Sequence, residues 1–409
     1  MSCFKRKIFS LISLFVFSTG GFAASPGDPN HIDFALISDP HVDINNYRAV
    51  NINPSSGDKG RDLDKPSFVT LTSKMGNELE ELPENPSFVV VLGDIPSHNA
   101  GKRRSQALTT VFQTFYDQFN PMPMFYTFGN NDSLTGDYGP FKSRGNSAYE
   151  IDKSVNEKDG FLSSGELCPF AGQPCLSNEN KDYGYYSAYI GDHLKLLSLN
   201  SVLYSSKPGF TPSHEGDQQQ LQWLSNELKD SQAKNEQVIL TMHIAPNIWL
   251  PEYKTQFQNM LKSYPNVIVG IFVGHSHRDE FRAIKTKQQI IPIIFAAGFS
   301  PTSGNSASFK TVSLGRSSES SPWSVDNYST YYFKGDKANN SVVTKYYDFD
   351  SAFCPSNNGF LTSCLKMQMK GRGSRYTFSP QASQLFSQHI NANPAVPGQA
   401  NAKYWVLNY

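Results

Sequence analysis

Short apolar runs separated by polar connections recur along most of the chain. Most of these runs are rich in β-branched or aromatic residues, which is typical of strands buried on both faces. The runs predict seven strands, over residues 32–38, 87–93, 123–129, 194–200, 237–243, 266–274 and 290–298.

Helical periodicity fills several of the intervals between these runs. Leu221, Leu224 and Leu228 recur at helical spacing, and Asp217 is placed to complement the positive start of a helix dipole. Strands that alternate with helices indicate an α/β layered domain. The predicted helices span residues 67–81, 103–119, 217–229 and 253–264.

Two regions interrupt the alternation. Residues 133–185 are rich in Gly, Ser, Asp and Tyr, which favours a long excursion over a binding face. From about residue 348 the strand pattern ends, and a helix is predicted over 380–390. We therefore expect a leader over 1–24, a main domain over 25–347 and a C-terminal extension over 348–409.

The first residues have the pattern of a secretory signal peptide. A basic stretch at 5–7 precedes an apolar run at 8–17 that is shorter than the ~20 residues of a spanning helix, and small residues follow. Cys3 precedes the apolar run, which argues against a lipid anchor. We expect cleavage near Ala23 or Ala24 and a secreted or periplasmic protein, with the choice between periplasm and export left open.

Four further cysteines occur as two local pairs, Cys168 with Cys175 and Cys354 with Cys364. Four cysteines allow three connectivities, but short separations in an oxidising compartment favour two local disulfides. We expect a Cys354–Cys364 disulfide in the extension. Neither pair has the partner spacing of a zinc finger.

Charge excludes some partners. Lys plus Arg and Asp plus Glu each number 36, so the chain is formally neutral and offers no broad electrostatic attraction to nucleic acid or an anionic membrane. We expect no nucleic-acid polymer as a partner and no stable membrane insertion. Any anionic substrate must be held by local groups.

The candidate chemistry lies where predicted strands end. Loops that follow strand ends are where α/β sheets assemble binding sites. Imidazole and carboxylate together suit zinc, manganese or iron better than calcium or magnesium. The residues at these ends are Asp39, His41, Asp94, Asn130, His243, His275 and His277.

These residues fall in a known order of motifs. DPH at 39–41, GD at 93–94, GNND at 129–132, the lone His243 and GHSH at 274–277 resemble the calcineurin-like metallophosphoesterase superfamily. Its pattern is DxH, GD, GNH followed by an acid, a single His, and GHxH. GDIPSH, with a histidine four residues after the aspartate, is similar to the acid sphingomyelinase-like phosphodiesterases. The resemblance covers roughly residues 32–335.

The resemblance implies a four-layer αββα sandwich with two mixed β-sheets. The pattern after residue 348 adds a small, mostly helical C-terminal extension to this expectation. It implies two divalent metal ions, with zinc as the first choice and manganese or iron as alternatives. A hydroxide that bridges the metals would attack phosphorus. One metal would be held by Asp39, His41 and His277, the other by Asn130, His243 and His275, and Asp94 would bridge them.

The chain departs from the superfamily at Asn131, where most members have a histidine. Asparagine cannot transfer a proton to the leaving group. His98 is one candidate for the acid, although it could instead hydrogen-bond within its own loop. Alternatively, Asn131 stabilises a phosphate oxygen through its amide N–H and a good leaving group needs no acid. A catalytically silent binding protein is a further alternative.

We expect a secreted phosphodiesterase that acts on a phosphodiester or pyrophosphate of nucleotide-like or phosphocholine type. Animal acid sphingomyelinases carry an N-terminal saposin module that extracts lipid, and the short stretch between the leader and the first strand here favours a soluble substrate. An endopolyphosphatase or phosphomonoesterase on the same site remains an alternative.

The aromatics of 183–189 and Tyr204 are interpreted as packing, with substrate stacking as the other option. His31, His193, His214 and His389 are interpreted as solvated or structural. Oligomeric state is left open.

Overall fold

The computed structural model describes residues 28–155, 176–207, 214–354, 360–372, 375–392 and 406–409. The predicted leader and the Cys168 and Cys175 pair lie outside these residues. The described strands are β1 (His31–Ile37), β2 (Val42–Asp43), β3 (Leu63–Asp64), β4 (Phe88–Val91), β5 (Met124–Tyr126), β6 (Leu176–Asn180), β7 (Tyr185–Gly191), β8 (Leu194–Leu199), β9 (Gln237–Met242), β10 (Ile268–Val273), β11 (Phe281–Lys285), β12 (Ile290–Phe295), β13 (Ser308–Gly315), β14 (Ser324–Lys334), β15 (Val342–Asp348), β16 (Met369–Arg372), β17 (Arg375–Phe378) and β18 (Val406–Asn408). The described α-helices are α1 (Lys65–Glu81), α2 (Arg104–Phe119), α3 (Ala148–Val155), α4 (Asp217–Lys234), α5 (Pro251–Ser263), α6 (Phe349–Phe353), α7 (Leu361–Gln368) and α8 (Pro380–His389).

Two mixed sheets form the middle of the fold. The six-stranded sheet has the order β15-β14-β13-β1-β4-β5, with β1, β4 and β5 parallel and the remaining pairs antiparallel. The eight-stranded sheet has the order β18-β11-β12-β10-β9-β8-β7-β6, with β8, β9, β10 and β12 parallel. Each of the seven predicted apolar runs forms a strand, so this part of the prediction is confirmed.

The sheets pack face to face, with helices outside them. Phe34 of β1 meets Phe272 of β10 edge-on, with ring centroids 5.2 Å apart. Tyr186 of β7 donates its hydroxyl to the carbonyl of Tyr126 in β5 at 3.0 Å. Phe112 of α2 packs on the ring of Tyr126, and α4 contacts β9. These layers confirm the predicted αββα sandwich.

The four predicted helices form with small shifts at their ends. Helix α1 begins after Asp64, whose carboxylate accepts the Ser67 N–H at 2.9 Å, so the cap lies before the predicted start. Helix α4 buries Leu221, Leu224 and Leu228 as predicted. It continues to Lys234, beyond the predicted end at 229.

Strands β13, β14 and β15 were not predicted, because polar side chains lie on their buried faces. Lys310 of β13 is 1% exposed and donates to the carboxylate of Asp279 at 2.6 Å and to the Thr330 hydroxyl of β14. A buried lysine breaks the apolar alternation that marks a strand, and here Asp279 compensates its charge. Pairing across the sheet, which a single sequence does not display, determines these strands.

The expectation that strands end near residue 348 is wrong. β16 and β17 pair in antiparallel orientation, and β18 extends the eight-stranded sheet beside β11. These strands are too short for alternation to identify them. The rest of the described extension is helical, as predicted, and α8 begins after Ser379, whose hydroxyl accepts the Ala382 N–H.

The predicted Cys354–Cys364 disulfide is present and links α6 to α7. The extension is also tied to the main sandwich by backbone hydrogen bonds. The N–H of Asp279 donates to the carbonyl of Ile390, and that of Ser306 donates to the carbonyl of Asn391. Among the described residues, no helix has both the length and the apolar character needed to cross a bilayer.

Candidate metal centre

The carboxyl ends of five parallel strands, from both sheets, carry the seven predicted ligands. Asp39 and His41 follow β1, Asp94 follows β4 and Asn130 follows β5 in the six-stranded sheet. In the eight-stranded sheet, His243 follows β9, and the loop after β10 carries His275 and His277.

The side chains form two groups that share one carboxylate. Ligand atoms of Asp39, His41, Asp94 and His277 lie within 4.8 Å of one another, and so do those of Asp94, His243 and His275. Asp94 belongs to both groups, which is the geometry required of a bridging ligand. Asn130 immediately precedes Asn131, which hydrogen-bonds to Asp94.

Three buried atoms of the cluster lack a hydrogen-bond partner among the described residues: Asp39 Oδ1, Asn130 Oδ1 and His243 Nε2. The imidazole nitrogens lie close to the carboxylate oxygens. His277 Nε2 is 3.3 Å from Asp39 Oδ1, and His243 Nε2 is 3.3 Å from Asp94 Oδ2. A buried polar atom without a hydrogen bond is costly, and atoms that converge on a common point in this way fit metal coordination. The residues present therefore fit divalent cations.

The glycines of the motifs allow the strand-end loops to approach one another. A Cβ at Gly93 would lie 2.5 Å from the backbone nitrogen of Gly129, and one at Gly129 would lie 2.4 Å from that of Asp94. A Cβ at Gly274 would lie 2.0 Å from the Ser38 hydroxyl. Any other residue at these positions would push the ligand-bearing loops apart.

Comparisons with known proteins agree with this arrangement. Residues 32–279 match the calcineurin-like phosphoesterase family, from β1 to just beyond His277. The chain belongs to this family.

Curated relatives of the family member identify its branch. "Sphingomyelinase phosphodiesterase D" of Dictyostelium discoideum is 25% identical over 306 residues, covering 69% of this chain and 65% of that protein. "Sphingomyelin phosphodiesterase" of Bos taurus is 24% identical over 302 residues, covering 70% of this chain and 45% of that protein. "Cyclic GMP-AMP phosphodiesterase SMPDL3A" of Mus musculus is 25% identical over 221 residues, covering 50% and 46% respectively. The chain thus spans only about half to two thirds of these relatives' length, and the predicted acid sphingomyelinase-like branch is confirmed.

The backbone of this phosphoesterase-family site is held in a sparsely populated conformation. Five of the predicted ligands have left-handed φ values: Asp39 (50°), His41 (40°), Asp94 (57°), His275 (67°) and His277 (58°). Non-glycine residues adopt this region rarely and at a cost, which the surrounding structure must offset. Such strain concentrates at functional sites.

Hydrogen bonds outside the cluster orient the ligand atoms. His243 Nδ1 lies 2.6 Å from the Leu92 carbonyl, which places the proton on Nδ1 and leaves Nε2 able to bind a cation. The Asn130 amide nitrogen donates to Asp137 at 2.7 Å, so the amide oxygen faces the other way. Lys207 donates to the second carboxylate oxygen of Asp137 and holds that residue in place.

The four histidines of the cluster differ in the direction in which their surroundings shift the pKa. Burial opposes charge throughout, but His243 and His41 hold the pKa of Asp94 well below its usual range. In turn, neighbouring carboxylates outweigh burial and raise the pKa of His41 to about 9 and that of His243 to about 10. Burial prevails at His275 and His277 and lowers both pKa values to about 4. Because imidazole binds a cation in its neutral form, bound cations would favour the neutral forms of His41 and His243.

Asn131, which replaces the family histidine, is 2% exposed and contacts Asp94 twice. Its backbone N–H donates to Asp94 Oδ1 at 2.7 Å, and its side-chain amide donates to Asp94 Oδ2 at 2.9 Å. Its carbonyl accepts from the guanidinium of Arg104 at 2.5 Å. These contacts favour a role in holding the Asp94 carboxylate, which differs from the phosphate contact that the sequence left open as one alternative.

Asp132, the acid that follows, joins the loops after β4 and β5. Its carboxylate accepts the backbone N–H groups of Asp94 at 3.0 Å, Ile95 at 2.7 Å and Gly129 at 2.7 Å. Burial, with the charge of Asp94, raises the pKa of Asp132 to about 6. This carboxylate therefore ties the loop after β4 to the loop after β5.

His98 lies beside the cluster with its side chain 44% exposed. Its ring stacks on His41, with centroids 4.1 Å apart and planes at 15°, and its centroid lies 5.9 Å from that of His277. Asp62 lies 2.8 Å from His98 Nδ1. Sequence reasoning missed Asp62, because GRDLD belongs to none of the quoted motifs and only the fold brings residues 62 and 98 together.

The other residues singled out from the sequence contact parts of the fold outside the cluster. His214 Nδ1 lies 2.6 Å from the Leu203 carbonyl and His389 Nδ1 lies 2.7 Å from the Leu385 carbonyl, which agrees with structural roles. Tyr204 is fully buried against Trp249, so the packing interpretation is confirmed for this residue.

Proposed function

We propose that the protein is a secreted phosphodiesterase with two divalent metals, acting on a phosphodiester or pyrophosphate of nucleotide-like or phosphocholine type. The observation that carries the proposal is that two groups of candidate ligands share Asp94, at the carboxyl ends of parallel strands from both sheets. The relatives support the reaction class, since they are named as sphingomyelin and cyclic GMP-AMP phosphodiesterases.

The seven ligands divide between two cations, with Asp94 between them. Asp39, His41 and His277 would hold one, and Asn130, His243 and His275 the other. When bound, such cations polarise a phosphoryl group and lower the pKa of water towards neutrality. Zinc is the first choice, because imidazole predominates among the ligands.

The protein's own groups supply the remaining chemistry. Asn131 and Asp132 hold the loop that carries Asp94, so the shared carboxylate keeps its position during reaction. His98 is solvent-accessible beside the cluster and would donate a proton to the leaving oxygen. Secretion is supported by the leader pattern and by the Cys354–Cys364 disulfide, which favours an oxidising compartment.

The test is a substrate panel on metal-analysed protein. We expect hydrolysis of bis-p-nitrophenyl phosphate to exceed that of p-nitrophenyl phosphate and of polyphosphate. Chelation should abolish this activity, and zinc should restore it.

A preference for the monoester or for polyphosphate would replace the phosphodiesterase assignment with a phosphomonoesterase or polyphosphatase. Two bound equivalents of metal with no cleavage of any of these substrates would instead identify a binding protein.

A further inference from the structure

Asp62 makes three hydrogen bonds immediately outside the cluster. Its carboxylate accepts the backbone N–H of His98 at 2.8 Å and lies 2.8 Å from His98 Nδ1. It also accepts the hydroxyl of Thr302 at 3.0 Å. The Asp62 side chain is only 15% exposed, so its orientation is set by these contacts.

These contacts fix both the position and the proton arrangement of His98. The backbone hydrogen bond places the loop, and the ring contact keeps one proton on Nδ1 because a carboxylate only accepts. His41 covers one face of the ring. The nitrogen left to exchange a proton with another molecule is Nε2.

We infer that Asp62 is a positioning residue that orients His98 for proton donation to the leaving group. This inference rests on the proposed function. As the phosphorus–oxygen bond to the leaving group breaks, its electron pair passes to the leaving oxygen, which takes the Nε2 proton and departs as an alcohol. A water oxygen forms the new bond to phosphorus, and the water's proton passes to solvent. After this transfer His98 is neutral. Its remaining proton stays on Nδ1, hydrogen-bonded to Asp62, until solvent returns a proton to Nε2.

A competing role for His98 comes from its neighbours. Ligand atoms of His41, His98 and His277 lie within 4.8 Å of one another, so His98 could instead bind a cation. Asp62 would then orient a metal ligand, and its loss would reduce metal content. Proton donation predicts unchanged metal content and a rate loss that depends on the leaving group.

The decisive experiment compares Asp62→Ala with the wild type on two diesters, one with a p-nitrophenolate and one with an alkoxide leaving group. We expect the alkoxide reaction to slow by ~10- to 100-fold, as for the loss of other orienting partners. The activated diester should change by less than about threefold, since its leaving group needs little protonation. Asp62→Asn keeps one acceptor oxygen, so its rate on the alkoxide diester should lie between those of the wild type and Asp62→Ala.

Combination with His98→Ala supplies a second readout. If Asp62 acts through His98, the double variant is no slower on the alkoxide diester than His98→Ala alone. Asp33→Asn is the matched control, because Asp33 also pairs with a histidine, His31, at 3.0 Å but in a contact that includes no cluster residue. It should leave both rates unchanged.

Three outcomes would overturn the inference: equal slowing of both diesters, additive losses in the double variant, or loss of bound metal from Asp62→Asn. The first two can be seen only if the wild type cleaves diesters, whereas the third is a metal analysis that needs no activity. A wild type that binds metal but cleaves neither diester would instead refute the proposed function, so the two failures are distinguishable.

Discussion

Hydrogen bonds from neighbouring residues hold Asp94 in place independently of any cation. Both of its oxygens accept hydrogen bonds from Asn131, and the backbone at Asp94 donates to Asp132. A carboxylate whose position is fixed on this side presents its remaining electron pairs to the cluster in one orientation. Asn131 can therefore serve the site without exchanging a proton.

Replacing Asn131 by alanine tests this role. We expect Asn131→Ala to weaken metal binding by ~10- to 100-fold, the usual cost of removing an outer partner of a ligand. Calorimetric titration of chelator-stripped protein with zinc measures the effect, with Asp94→Ala as the reference for complete loss of the shared ligand. Unchanged metal affinity with a reduced turnover number would return Asn131 to the phosphate contact considered from the sequence.

At the scale of single elements, β13 depends on a buried ion pair. The carboxylate of Asp279 accepts from Lys310 and from the hydroxyls of Thr330 and Tyr347. The same residue donates its N–H to Ile390 in the C-terminal extension. The pair therefore joins β13, β14 and β15 to the loop that begins after His277.

Removing the lysine would leave this carboxylate buried without a counter-charge. We expect Lys310→Met to lower the free energy of unfolding by about 3–5 kcal/mol, the range for breaking a buried pair. Denaturant unfolding measures the change. Lys345→Met is the matched control on β15, where the pair with Asp348 is partly exposed and contributes less than about 1 kcal/mol. Equal effects of the two substitutions would contradict the importance of burial.

The start of β1 carries a pH-dependent contact. His31 Nε2 lies 3.0 Å from Asp33 and 3.2 Å from Glu84, and the hydrogen bond with Asp33 is the main cause that raises the pKa of His31 to about 9. Because the folded pKa exceeds the ordinary value of 6.5, the contact stabilises the fold fully below that pH and is lost as pH rises through about 9.

We expect wild-type stability, relative to His31→Asn, to fall by about 1 kcal/mol across this window, an amount reduced by solvent screening. Unfolding free energies measured at a series of pH values provide the check. His193→Asn, at a histidine whose side chain is 53% exposed, serves as the control. Parallel pH profiles for the wild type and His31→Asn would contradict the assignment.

At the scale of the whole molecule, apolar runs predict the parallel strands because both faces of those strands are buried. The positions of the seven predicted ligands follow from the same runs, since each lies where a buried strand ends. The antiparallel strands around Lys310 were missed because their buried positions include polar residues that only tertiary pairing satisfies. Asp62 was missed for a related reason, as its relation to His98 exists only in the folded chain.

The division of the predicted ligands between the two sheets has a consequence for local stability. Residues after β1, β4 and β5 face residues after β9 and β10 across the interface between the sheets. A fluctuation that opens only one loop removes one or two ligands, whereas one that parts the sheets removes all contacts between the two halves at once. Separating the two halves of the cluster therefore requires the sandwich itself to open, whereas losing a single predicted ligand requires only the cheaper opening of one loop.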